Sequence, residues 1–177
     1  MAGIYARDVS DSTITLNGNS HIESVDAAGI NAHDVDNSTI EVGADSFVRG
    51  TRAIQLRGNF NNIIVAGTLY ATNNNAITLN GTNNTITLNS GVVIGGIRGA
   101  GNGTDHLVLQ GAGALGYDVS DIGTLDVDAS GIWNLLSTAT FGDVAINSGK
   151  LAVNGILNAN SITVNSGGTL GGNGYVY

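Results

Sequence analysis

The chain repeats itself near its end. Ile146-Asn147-Ser148-Gly149 returns as Val164-Asn165-Ser166-Gly167, a shift of 18 residues. Around and between them run short stretches in which apolar and small polar residues alternate. Val144-x-Ile146, Leu151-x-Val153 and Ile162-x-Val164 are each closed by Asn, Ser or Gly. A period of two reads as strand and the closing residues read as turn, so Val144 to Val176 is strand, turn, strand, turn. A return after one fixed interval lays the second strand in register on the first if the chain winds once about an axis. That is one coil of a solenoid, written twice.

The same signature, more loosely spaced, extends to the start of the chain. Apolar anchors recur at Ile14, Ile40, Ile64, Ile86, Leu107, Leu125, Val144 and Ile162, at intervals of 26, 24, 22, 21, 18, 19 and 18. The coils tighten toward the C-terminus. One register is ambiguous, because either Ile63 and Val65 or Ile64 and Ala66 can point inward. A second strand follows through Ile22, Val48, Leu69, Val93, Leu115, Ile132, Leu151 and Leu170, and a third is clear only in the first half, at Ile4, Ile30, Ile54 and Ile77. Three strands per coil predict an all-β fold, a right-handed three-sided parallel β-helix of about eight coils. Residues 1–141 form longer, irregular coils and residues 142–177 tight ones, in one continuous solenoid. Trp133-Asn134-Leu135-Leu136 breaks the alternation, and Trp133 reads as buried packing at the entry to the tight coils. Asn89, Asn147 and Asn165 each precede Ser-Gly and predict one corner of stacked, hydrogen-bonded Asn side chains. Asn-Gly at 17, 80 and 154 would otherwise suggest hairpins; an antiparallel sandwich is the alternative, which the repeat disfavours.

In the C-terminal stretch Ser148-Gly149-x-Leu151-x-Val153-Asn154-Gly155, followed by Ile162-Thr163-Val164-Asn165-Ser166-Gly167-Gly168-Thr169-Leu170-Gly171-Gly172-x-Gly174-x-Val176, the chain resembles the repeat near the C-terminal end of autotransporter passenger domains. These are the surface-exposed arms of bacterial type V secretion. The close match covers Gly142 to Val176. The resemblance implies an autochaperone-like segment that closes the β-helix and helps it fold after crossing the outer membrane. The residues it singles out are Asn147, Gly149, Leu151, Val153, Gly155, Ile162, Val164, Asn165, Gly167, Gly168, Leu170, Gly171, Gly172 and Gly174. It also implies a bacterial cell-surface location, an outer-membrane β-barrel translocator as partner, and an adhesive stalk that meets host or bacterial surface molecules or itself.

Composition bounds the remaining classes. A net charge of −8, with 6 Lys and Arg, disfavours nucleic acid and anionic lipid, which need a basic face. Cysteine is absent, which fits a chain threaded unfolded through a pore and removes thiolate chemistry. No apolar run approaches the length of a membrane-spanning helix, and Met1-Ala2-Gly3-Ile4 lacks the features of a signal peptide, so an excised passenger piece is expected.

No catalytic, metal or cofactor site is expected. Ala100 to Leu107 matches the calcium-binding nonapeptide except at its first glycine, but in a single copy, so Asp105 is expected to solvate a wide turn. Asp34/Asp36, Asp118/Asp121 and Asp126/Asp128 are carboxylate pairs of the kind a β-helical polysaccharide lyase, hydrolase or tailspike-like glycan-binding protein would use, the alternative function; a solvated outer face is the plainer reading. Arg49, Arg52 and Arg57, with Asp34 and Asp36 one coil earlier, form either a surface ion-pair patch or a partner-binding surface for an acidic sugar or protein. His21, His33 and His106 lack metal spacing. No Gly-Asp-Ser-Gly or Gly-x-Ser-x-Gly nucleophile is present. The sequons at Asn37, Asn80, Asn83 and Asn102 read as turn chemistry.

Overall fold

The computed structural model describes all of residues 1–177. It holds eighteen strands and no helix, and the strands pair only in parallel, each with the strand one coil away. The chain is a β-solenoid. Its first ladder runs Ile14, Ile40, Ile63, Ile86, Leu107, Leu125, Val144, Ile162, eight rungs that define seven complete turns. The ambiguous register is settled: Ile63 is fully buried and pairs with Ile40 and Ile86, while Ile64 faces outward. The third ladder runs the whole length, through Ile4, Ile30, Ile54, Ile77, Ile97, Val119, Ala139, Leu157 and Val176. After Ile77 its members are of mixed type, Ile97, Val119, Ala139, Leu157 and Val176, in strands of 2 to 16 residues, so no constant side chain or spacing marks it in the sequence.

The second ladder departs from expectation in its middle. It runs Ile22, Val48, Leu69, Val93 and resumes as Gly113, Trp133, Leu151, Leu170. Leu115 instead stacks with Leu135 and Val153, and Ile132 is 48% exposed. The odd-numbered residues from Leu125 to Leu135 face inward without interruption, so Trp133 and not Ile132 takes the ladder position; the pairing irregularity between Asp128 and Ile132 is matched in the partner strand, whose inward residues change from Val144 and Ile146 to Leu151 and Val153. Trp133 and Leu135 are buried, Asn134 is half-buried and Leu136 is exposed. Trp133 is therefore a rung of the core and no break. The expected turns after Ile146 are also absent as turns. Thr138–Val153 is one 16-residue strand that serves all three ladders, bending at Gly149, whose φ of 68° favours glycine.

One interior column is polar. Ser38, Asn61, Asn84 and Asp105 are buried at the entry to the first ladder, each just before its strand. In each step the backbone N–H of one coil donates to the side-chain oxygen of the next: Ser12 to Ser38 Oγ, Ser38 to Asn61 Oδ1, Asn61 to Asn84 Oδ1 and Asn84 to Asp105 Oδ1, at 2.9–3.1 Å. The Asn61 and Asn84 amides add parallel side-chain bonds of 3.1 and 3.2 Å. All these bonds point the same way, so the column must end on a group that only accepts, and a carboxylate meets that need. Asp105 is 1% exposed and takes a further bond from the Ala100 N–H at 3.0 Å. It closes a buried column and does not solvate a turn. The residue before each of the first four column positions, Asp11, Asn37, Phe60 or Asn83, has φ between 51° and 57°. Asn and Asp tolerate that conformation, while Phe60 holds it against its own side-chain sterics.

Candidate functional site

The C-terminal residues singled out by the repeat lie on the last coils, in the register the 18-residue shift predicts: Val144 pairs with Ile162, and Ile146 with Val164. Asn165 donates to Asn147 Oδ1 at 2.7 Å, and Asn147 donates to Asp128 Oδ1 at 2.9 Å. The expected hydrogen-bonded corner is thus formed over Asp128, Asn147 and Asn165, while Gln110 and Asn89 continue the column in register only, with no side-chain hydrogen bond along it. Leu151 and Val153 are buried, and Leu170 stacks on Leu151. Val164 points along the same core column yet is 47% exposed. Gly155, Gly168, Gly172 and Gly174 sit where a Cβ would collide with the carbonyl oxygen of Ser137, Ile146, Val153 or Gly155 in the coil beneath. Gly167 has φ 99°, and Gly171 lies against the Lys150 side chain.

Two surface regions gather side chains from different coils. On the outer face of the second ladder, register places His21 against Phe47, and Glu23, Arg49 and Tyr70 in one row. His21 and Phe47 stack with ring centroids 5.0 Å apart, and Arg49 lies 5.5 Å from the Tyr70 centroid, a cation–π contact. Arg49 also pairs with Glu23. The His21 hydrogen bond, and after it the Arg49 charge, hold the Glu23 carboxyl below its ordinary range. These five residues line a shallow concavity of about 370 Å³. Sequence reading missed it because the partners stand 26 and 21 residues apart and meet only through winding.

The second region lies on the outer face of the third ladder. Arg52, Gln55, Arg57, Thr78 and Arg98 line a concavity of about 330 Å³. It adjoins one of 190 Å³ through Arg52, and that one meets a concavity of 610 Å³ through Asn74 and Asn75. The expected patch of Arg49, Arg52, Arg57, Asp34 and Asp36 is thus divided. Arg52 and Arg57 share a wall with Arg98, which sequence reading left apart, whereas Arg49 serves the aromatic face. Asp34 joins Arg57 through His33: the His33 Nδ1 bonds Asp34 Oδ2 at 2.7 Å and its Nε2 faces Arg57 Nη1 at 3.1 Å. Arg57 can only donate, so His33 accepts at Nε2 and donates at Nδ1. Asp36 accepts from the backbone N–H and side chain of Asn59.

Every member of the other carboxylate pairs is also engaged. Asp118 accepts from Ser137 and the Thr138 N–H, and Asp121 pairs with Arg98 at 3.1 Å. Asp126 bonds His106 Nε2 at 2.8 Å, and Asp128 holds Asn147. The three histidines lie apart: His21 on the aromatic face, His33 beside Arg57, His106 beside Asp126. No group of three or more His, Cys, Asp or Glu is placed to hold a metal ion. No helix is long and apolar enough to cross a membrane.

Compared with known proteins, the chain matches no family model, no curated protein and no solved structure. The protein is a parallel β-solenoid with grooved outer faces.

Proposed function

We propose that the chain is a non-enzymatic segment of a bacterial surface passenger of the autotransporter type. In this reading it is a right-handed β-helical stalk or adhesin segment, held at or released from the cell surface, whose C-terminal coils promote folding and secretion together with an outer-membrane β-barrel translocator. The observation that carries the reading is the register of the last coils. The 18-residue repeat stacks side chain on side chain from Val144–Ile146 to Ile162–Val164, and the coils beneath it keep the same first ladder back to Ile14. A solenoid of this kind grows by pairing each new strand with the edge left by the last, so the most regular coils make the best template. Their short interval also lowers the loop-closure entropy of each added rung.

The experiment is refolding from urea of two truncations of equal length, one lacking residues 142–177 and one lacking residues 1–36. The folding role requires that loss of 142–177 slow refolding by about tenfold or more relative to loss of 1–36, since mutations in a nucleus act on the folding rate. Equal rates would remove the template role and, with it, the autochaperone part of the reading.

A further inference from the structure

We propose that the groove along the third ladder is a binding site for an anionic oligosaccharide, with its uronate carboxylate or sulfate ester seated between Arg52 and Arg57. The proposal is independent of the stalk reading, since it concerns the outer wall of the middle coils and not the folding of the last ones.

The cations are the first observation. The chain has 6 Lys and Arg against 14 Asp and Glu, yet three arginines converge on one concavity of about 330 Å³. The other pairings on the surface leave Arg52 and Arg57 out: Arg7 meets Asp8, Arg49 meets Glu23 and Arg98 meets Asp121, and no carboxylate lies within ion-pair distance of Arg52 or Arg57. Arg57 faces only the Nε2 of His33, whose Nδ1 is held by Asp34, and Arg52 is half-buried in the turn above it. In a protein of net charge −8, two neighbouring guanidinium groups without acid partners form a local positive well in a negative surround. Guanidinium groups match carboxylate and sulfate oxygens in bidentate geometry.

The second observation is hydrogen-bonding capacity left open. Asn31, Gln55, Thr78, Arg98 and Ser120 form one outward column, one residue per coil. Two buried side-chain oxygens lack any partner, Asn31 Oδ1 and Thr78 Oγ1, and both belong to this column. Both oxygens are closed to solvent, so a ligand in the groove meets instead the Gln55 amide, which lines it between them and bonds no other side chain.

The third observation is the shape and chemistry of the groove beyond Arg98. Asn74, Asn75, Ser120 and Ser137 supply amides and hydroxyls, Gly96 and Gly116 leave the floor bare, and Tyr117, 47% exposed, offers an aromatic face. Amides, hydroxyls and one aromatic ring suit a pyranose, with its equatorial hydroxyls and apolar face. Asp118 and Asp121 stand at this end, so it favours a neutral sugar, while the anionic unit belongs at Arg52 and Arg57. Three cations on one wall, with acids at the far end, are too few for the phosphate tracking that a nucleic acid requires.

The test is calorimetric titration of the full 177-residue chain with four probes: an oligogalacturonate, a chondroitin sulfate oligosaccharide, a neutral cello-oligosaccharide and a thymidine oligonucleotide of similar charge. Binding of either acidic oligosaccharide, weakened roughly tenfold or more in Arg52→Gln/Arg57→Gln and severalfold in Tyr117→Ala but unchanged in Arg49→Gln, supports the site. Binding of the oligogalacturonate shows that a carboxylate suffices, whereas binding of the chondroitin sulfate alone, which carries both groups, assigns the seat to its sulfate ester. Unchanged melting of the variants shows that the loss is local; Arg52→Gln alone serves where the double variant melts early, because Arg52 makes no ion pair. Absence of binding to both acidic oligosaccharides, binding that survives Arg52→Gln, or equal affinity for the oligonucleotide would each overturn it.

Discussion

Replacing Asn84 by leucine is expected to lower the unfolding free energy by about 3 to 5 kcal/mol. Leucine matches asparagine in bulk, so packing is roughly kept and the loss reads the hydrogen bonds. Asn84 is fully buried and occupies the centre of the polar column. Its Oδ1 takes both the backbone N–H and the side-chain amide of Asn61, and its own amide reaches Gly58 O and Asp105 Oδ1. Without it the Asn61 N–H, itself 1% exposed, is stranded away from water. A second substitution separates this account from a general dislike of change at the site. Asn84→Asp keeps an acceptor for Asn61 but sets two carboxylates side by side, since the Asn84 amide now lies 3.2 Å from Asp105 Oδ1. Like charges at that range raise the affinity of the pair for a proton. A carboxyl whose folded-state pKa is raised stabilises the fold fully below its unfolded value, about 3.9 for aspartate, and loses that contribution as pH rises. The Asn84→Asp deficit relative to wild type should therefore be small in acid and grow toward neutral pH, whereas the Asn84→Leu deficit should vary far less. Urea midpoints of the three proteins at pH 4 and pH 7 check both; parallel pH profiles for the two variants would refute the column.

Trp133→Ala is expected to cost about 3 to 5 kcal/mol, the range for truncating a large core aromatic. Trp133 is fully buried, and its indole N–H donates to Gln110 O at 3.1 Å. Its ring fills the space of a missing side chain one coil away, because Gly113 is its register partner and a Cβ there would stand 2.8 Å from Trp133 Cη2 and Cζ3. The two positions share one volume. Gly113→Ala should destabilise the wild type by about 1 to 3 kcal/mol through overpacking. In a Trp133→Leu background the same methyl group should be nearly neutral, a coupling that a double-mutant cycle in urea measures directly. Additive effects would mean that Gly113 and Trp133 do not face each other.

Much of this fold is written in the sequence, and the exceptions have identifiable causes. The first ladder is legible because most of its anchors follow a small polar residue, Thr13, Thr39, Asn62, Thr85, Thr124, Asp143 or Ser161, and the tight C-terminal interval needs no insertion to align. Ile63 and Ile64 are equivalent by alternation alone. The residue that decides between them is Asn61, whose place in the polar column fixes Ile63 inward two positions later, as Ser38 fixes Ile40 and Asn84 fixes Ile86. A buried Asn looks like a turn Asn in sequence, so the column was hidden among corners. Ile132 is the more familiar core side chain, yet the alternation begun at Leu125 and Val127 runs unbroken to Trp133 and Leu135 and turns Ile132 outward. The surface sites are the least legible of all. Arg52, Arg57 and Arg98 share a wall only because Thr78 pairs with both Gln55 and Arg98, and the length of the strand Thr68–Asn80 sets that alignment. The C-terminal residues, by contrast, are placed as their repeat predicts, because each position acts on the identical position one coil away.

The most direct measurement of the central claim is a set of distances along one outer column. Thr13, Thr39, Asn62, Thr85, His106, Thr124, Asp143 and Ser161 are successive register partners on the outside of the first ladder. The chain has no cysteine, so pairs of introduced cysteines carry spin labels without background. Electron–electron double resonance should place Asn62→Cys/Asp143→Cys at about 19 Å, Thr13→Cys/Asp143→Cys at about 29 Å and Thr13→Cys/Ser161→Cys at about 34 Å, one strand spacing per coil. Distances rising linearly with coil number are the signature of stacked parallel rungs. Distances that do not follow coil number, as in an antiparallel sandwich, would contradict the solenoid.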